Sequence, residues 1–178
     1  TTQELDIAQL PGFEARLRAL FPQLSPLQPL GNYNAAPMAQ VLELAALGLQ
    51  AQAGCPVTFS RTTPTLETGI FQVVVEYTEE AVGRLALELA QQLCRAALDD
   101  APFDLAGALH QLQELDEDVR LGPSTGAIVN AAVARNIPFR RLTEGSLVTF
   151  GWGSKQRKIQ AAEMDGTSAI AEAIAQDK

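Results

Sequence analysis

The chain has 178 residues, 47% of them hydrophobic and 19% charged, with a formal net charge of -8. That size suits one ordinary domain with a core plus a short piece of another, and the acidic balance argues against a nucleic-acid partner, whose phosphates call for Lys and Arg. No apolar run is long or clean enough to span a bilayer and no signal peptide is visible; Cys55 and Cys94 read as buried thiols of a cytoplasmic protein, without metal-ligand spacing.

In chain order, residues 4–7 alternate like a short strand end. Pro11 opens a helix whose face carries Phe13, Leu17, Leu20 and Phe21, and Pro22 stops it. Residues 22–34, with three prolines, Gly31 and two asparagines, read as a loop. A second helix is predicted over 36–53, striped by Met38, Val41, Leu42, Ala45 and Leu49 and closed by Gly54. A short strand over 57–59 and a polar loop over 60–69 follow, and then the strand 71–77, rich in valine and aromatic residues. Thr78 reads as the cap of a helix over 79–98 with an acidic first turn. Leu105, Leu109, Leu112 and Leu115 mark a helix over 103–118, and Ile128, Val129, Ala132 and Val133 mark another over 124–135. Residues 138–142 read as a strand, 146–150 and 156–161 as a hairpin around Gly151-Trp152-Gly153-Ser154, and 167–176 as a last helix. The class is α+β: a small mixed sheet with several packed helices, followed by a helix–strand–hairpin segment.

Charge is unevenly placed. Residues 79–118 are acidic, whereas Arg135, Arg140, Arg141, Lys155, Arg157 and Lys158 make 135–158 basic. There is no G-x-x-x-x-G-K-[ST] phosphate loop, and Gly151-Trp152-Gly153 is a hairpin turn rather than a dinucleotide fingerprint.

Particular strings carry more than pattern. They are Gly122-Pro123-Ser124-Thr125, Ile137-Pro138, Ser146-Leu147-Val148, Gly151-Trp152-Gly153, Ile159-Gln160-Ala161, Thr167-Ser168 and Ile174-Ala175-Gln176-Asp177-Lys178. Earlier come Leu10-Pro11-Gly12-Phe13, Leu47-Gly48-Leu49-Gln50, Gly54-Cys55-Pro56-Val57, Ser60-Arg61-Thr62 and Val73-Val74-Val75-Glu76-Tyr77. Together they resemble the amino-terminal domain of cyanophycin synthetases, running into the start of the ATP-grasp domain. The resemblance implies a domain over 1–121, a helix–strand–hairpin segment over 122–165, and the beginning of the ATP-grasp module over 166–178. It further implies a parent ligase that polymerises aspartate and arginine with ATP and magnesium, both held in downstream modules and no cofactor in this segment. The partners it implies are the zwitterionic polymer and the ATP-grasp module of the same chain, with no nucleic acid and no membrane, in a homo-oligomeric cytoplasmic parent.

Many cyanophycin synthetases carry H-x-x-E-H on the helix matching 36–53, where histidines at i and i+4 hold a metal and the glutamate activates water. The matching positions here are Gln40, Glu43 and Leu44, and a further family glutamate falls on Gly48. Neither imidazole is present, so no metal and no catalytic residue is expected. His110, the one histidine, belongs to another helix and reads as a surface or half-buried residue without a role.

Candidate polymer-binding residues are Arg61, Arg140, Arg141, Lys155, Arg157 and Lys158. The basic group either borders a groove for polymer carboxylates or is a solvated strand face; Arg61 either binds or anchors its loop. Ser124 and Thr125 read as helix caps or as an anion contact at a helix start. Trp152 either stacks on a guanidinium or packs against a following module. The expected function is a non-catalytic domain that holds the growing polymer near the ligase sites; the alternatives are a metal-dependent polymer-cleaving domain and a purely structural docking domain.

Overall fold

The computed structural model describes residues 7–30, 37–161 and 163–166, and the expected helix over 167–176 lies outside them. The chain divides into two compact units, residues 1–118 and 119–178. Its class is the α+β expected, with α1 (Phe13–Leu20), α2 (Met38–Gln52), β1 (Ser60–Pro64), β2 (Phe71–Val75), α3 (Glu80–Asp99) and α4 (Leu105–Val119), then α5 (Pro123–Val133), β3 (Phe139–Arg141), β4 (Val148–Phe150), β5 (Arg157–Gln160) and β6 (Glu163–Met164).

In the first unit, α2 packs against α3 on one side and against both strands on the other, and α1 lies on α3. The interdigitating residues are apolar at helical spacing: Phe13 and Leu17, Val41, Ala45 and Leu49, Val82, Ala86, Leu89 and Leu93, all buried. The small mixed sheet expected is here a two-stranded antiparallel ribbon in which Ser60 pairs with Val75 and Pro64 with Phe71. It corrects two sequence readings. Residues 57–59 are not a strand, because the Glu76 carboxylate takes the N–H groups of Thr58 and Phe59, both at 2.7 Å. Residues 60–64, read as polar loop, are the strand; register with the valines of β2 overrides their weak propensity.

Helix ends also differ from expectation. Gly12, left-handed at φ 74°, is the N-cap of α1, so Pro11 lies outside the helix. Glu79 rather than Thr78 is the N-cap of α3, and the Thr78 hydroxyl donates to Asp116 Oδ1 of α4 at 3.3 Å. Asp104 caps α4 by accepting the Gly107 N–H at 2.9 Å.

Among its described residues, the second unit has one α-helix on one face of a four-stranded antiparallel sheet ordered β3-β4-β5-β6. Val129 of α5 meets Val148 and Ile159, with Leu121 and Phe150 at the margin. Gly122 is the N-cap of α5 and Pro123 begins it; neither Ser124 nor Thr125 caps the helix, and the Thr125 hydroxyl donates to the Ala161 carbonyl at 2.9 Å instead.

Candidate functional site

Two places were nominated by the sequence, the α2 helix of the first unit and the basic strands of the second. On α2 the four positions of the incomplete metal motif have all been put to packing or bonding use or left apolar. Gln40 Oε1 accepts the Gln28 N–H at 3.2 Å, tying the proline-rich segment to the helix. Glu43 is 5% exposed, and its Oε1 accepts the Ser60 hydroxyl at 2.7 Å, fastening the first residue of β1. Leu44 offers no donor atom. At Gly48 an added Cβ would lie 3.1 Å from Cε1 and Cζ of Phe21, so an aromatic ring fills the space a side chain there would need. Among the described residues no group of three His, Cys, Asp or Glu is placed to hold a metal.

Nearby, a cleft of about 650 Å³ runs between β2 and α3, lined among others by Val73, Val75, Tyr77, Arg84 and Gln91. Its cation, Arg84, is paired with Glu80 at 2.7 Å. None of the nominated cations lines it. Arg61 sits on β1, exposed and opposite Val74 on the ribbon's outer face.

In the second unit the sheet register sorts the basic residues. Partners across antiparallel strands share a face and successive residues alternate. Arg140, Thr149 and Lys158 form one row. The rows on either side hold Val148 and Ile159, or Phe150 and Arg157, and belong to the helix-covered face. Arg157 therefore points away from Arg140 and Lys158, and its Nη1 donates to the carbonyl of Gln156 at 3.0 Å. Arg141 is engaged by the backbone: Nε donates to the Gly145 carbonyl at 2.9 Å, Nη1 to that of Val119 at 2.6 Å, and Nη2 to that of Glu144. It braces the turn between β3 and β4. Lys155 stands in the short 3₁₀ turn Gly153–Lys155 beside Trp152, which is 77% exposed. Only Arg140 and Lys158 of the nominated cations are brought together, and they share the face opposite α5.

Outside these places, His110 is an exposed α4 residue with Nδ1 3.2 Å from Glu114 Oε2. Burial, with Asp116 close by, pushes the Cys55 thiol up, and burial pushes Cys94 up to about 12. Both thiols are free. Backbone hydrogen bonds from Thr58 and Phe59 hold the Glu76 carboxyl below its ordinary range.

What the fold and these two places define is a small α+β module with two unpaired cations on one sheet face and, among its described residues, no cluster that could hold a metal. Residues 1–99 match the family described as the cyanophycin synthase-like N-terminal domain, and the chain belongs to that family. It is similar to the cyanophycin synthetase of Crocosphaera subtropica, 39% identical over 144 residues, 79% of this chain and 16% of that protein. Those of Trichormus variabilis and Synechocystis sp. are 38% and 37% identical over the same length, again 79% of this chain and 16% of theirs. The matched stretch thus spans about one-sixth of the curated relatives.

Sequence reasoning missed the contacts of Ser60 and Phe21 and the place of Thr149. For Ser60 and Phe21 the local pattern holds no signal, because their partners lie 17 and 27 residues away along the chain, at Glu43 and Gly48. Alternation within 146–150 would have put Thr149 on the face opposite Val148, but the register that sets it beside two cations comes only from pairing.

Proposed function

We propose that this chain is a non-catalytic module of a cyanophycin-synthesising ligase that holds the aspartate-arginine polymer close to the ligase sites. The observation that carries the reading is the state of α2. Gln40, Glu43 and Gly48 are taken up by Gln28, Ser60 and Phe21, which leaves no open carboxylate to activate water on that helix. The chemistry that remains is binding. Arg140 and Lys158 offer free positive charge on one sheet face, and the first unit carries an excess of carboxylates over 79–118, so both signs of a zwitterionic polymer find partners.

Holding is useful to a ligase because a tethered chain end acts at an effective concentration on the order of mM. Exposed charge pairs contribute about 0–1 kcal/mol each, so many along a repetitive polymer grip without locking it. ATP and magnesium would be bound by the parts of the parent that lie outside the matched stretch, and the downstream ATP-grasp module would be this domain's neighbour.

Binding of purified cyanophycin segments to the chain, followed by calorimetry, is expected to weaken about tenfold or more between 50 mM and 500 mM salt as surface charges are screened. An affinity that does not move with salt, or release of short segments on adding zinc, would be incompatible with this function.

A further inference from the structure

The face of the four-stranded sheet opposite α5 carries a line of polar side chains that make no side-chain hydrogen bond or ion pair among the described residues. Thr149 is at its middle, flanked in register by Arg140 on β3 and Lys158 on β5. Asp165 prolongs the line just beyond β6, its N–H donating to the Lys158 carbonyl at 3.0 Å. Strand spacing places each neighbour about 5 Å from the next along the row. Thr149 is only 6% exposed and its Oγ1 has no hydrogen-bond partner. Arg140 and Lys158 are exposed and, among the described residues, neither side chain makes a hydrogen bond or an ion pair. Three adjacent donors thus lack an acceptor, and buried hydroxyls are seldom left so.

We infer that this row is a subsite for one zwitterionic aspartyl-arginyl unit, its carboxylate seated between Arg140 and Lys158 on the Thr149 hydroxyl and its guanidinium turned to Asp165. The charges choose the ligand. A dianionic phosphate would suit Arg140 and Lys158 but meets Asp165 next in line and Glu163 on the same face. A monoanionic carboxylate that brings its own cation meets both signs in the right order. Arg140 and Lys158 flank the hydroxyl in register and neither is pinned, so both are free to turn onto a carboxylate seated there. The inference rests on the polymer-holding function and adds to it a place and a stoichiometry.

The test is calorimetry on the full chain with a synthetic segment of four aspartates, each carrying arginine on its side-chain carboxyl. Thr149→Val keeps shape and removes the hydroxyl; it is expected to weaken binding about tenfold, the loss of one hydrogen bond to a charged group, while melting at the same or a higher temperature. Arg140→Gln, at an exposed site that folding does not need, is expected to weaken binding similarly. Inorganic phosphate at about 10 mM, too dilute to screen the charges strongly, should not displace the segment. If the segment binds and both variants bind within twofold of the parent chain, or if phosphate displaces it, the subsite is refuted and polymer holding stands. If the unaltered chain does not bind the segment, both fall.

Discussion

Gly48 and Phe21 show how one residue decides what a helix can do. The ring stands 3.1 Å from where a Cβ would be, tighter than an ordinary carbon contact. Gly48→Glu is expected to destabilise the first unit by about 1–3 kcal/mol through overpacking, despite the gain in helix propensity, which urea denaturation would measure. Glu76 is a second residue with a defined role, since its carboxylate replaces the missing ladder partners of Thr58 and Phe59. Its carboxyl is held low in the folded chain. The stabilisation is therefore full above the ordinary carboxylate pKa of about 4.3 and is lost as pH falls through the lower folded value. Glu76→Gln is expected to flatten that acid limb in a series of melts from pH 6 downwards; an unchanged limb would mean other carboxylates set it.

Among elements, the helices and strand β2 were legible and strand β1 was not. The apolar stripes over 36–53, 79–98 and 103–118 fall within a few residues of α2, α3 and α4 because packing of those stripes is what makes the helices form. Strand β1, Ser60–Pro64, has no apolar alternation; it exists because β2 pairs with it and α2 covers it, through Thr62 and the Ser60–Glu43 hydrogen bond. In the same way the basic stretch 135–158 showed charge but not direction. Register separates Arg140 and Lys158 from Arg157, and three backbone carbonyls claim Arg141. The incomplete metal motif was readable residue by residue, yet what fills each position depended on contacts from α1, the segment after it, and β1.

At the scale of the whole molecule, burial is unequal. All but Val129, Ala132, Val148 and Ile159 of the buried apolar residues described belong to the first unit. The few buried side chains described in the second unit yield far less burial free energy than the interlocked α1, α2 and α3. Native-state hydrogen exchange is expected to show amides of 148–159 opening at least tenfold more readily than those of 82–97. Equal protection in the two stretches would mean that the units unfold together.

The ring of Phe21 also decides what a side chain at 48 would do to the first unit. Imidazoles at 40 and 44 would be simple substitutions, but a side chain at 48 meets the Phe21 ring 3.1 Å from its Cβ and fits only if that ring gives way. Phe21 is itself 0% exposed, so trimming its ring instead opens a void in the core. A side chain at 48 would therefore come with a loss of stability, whether the ring shifts or is trimmed.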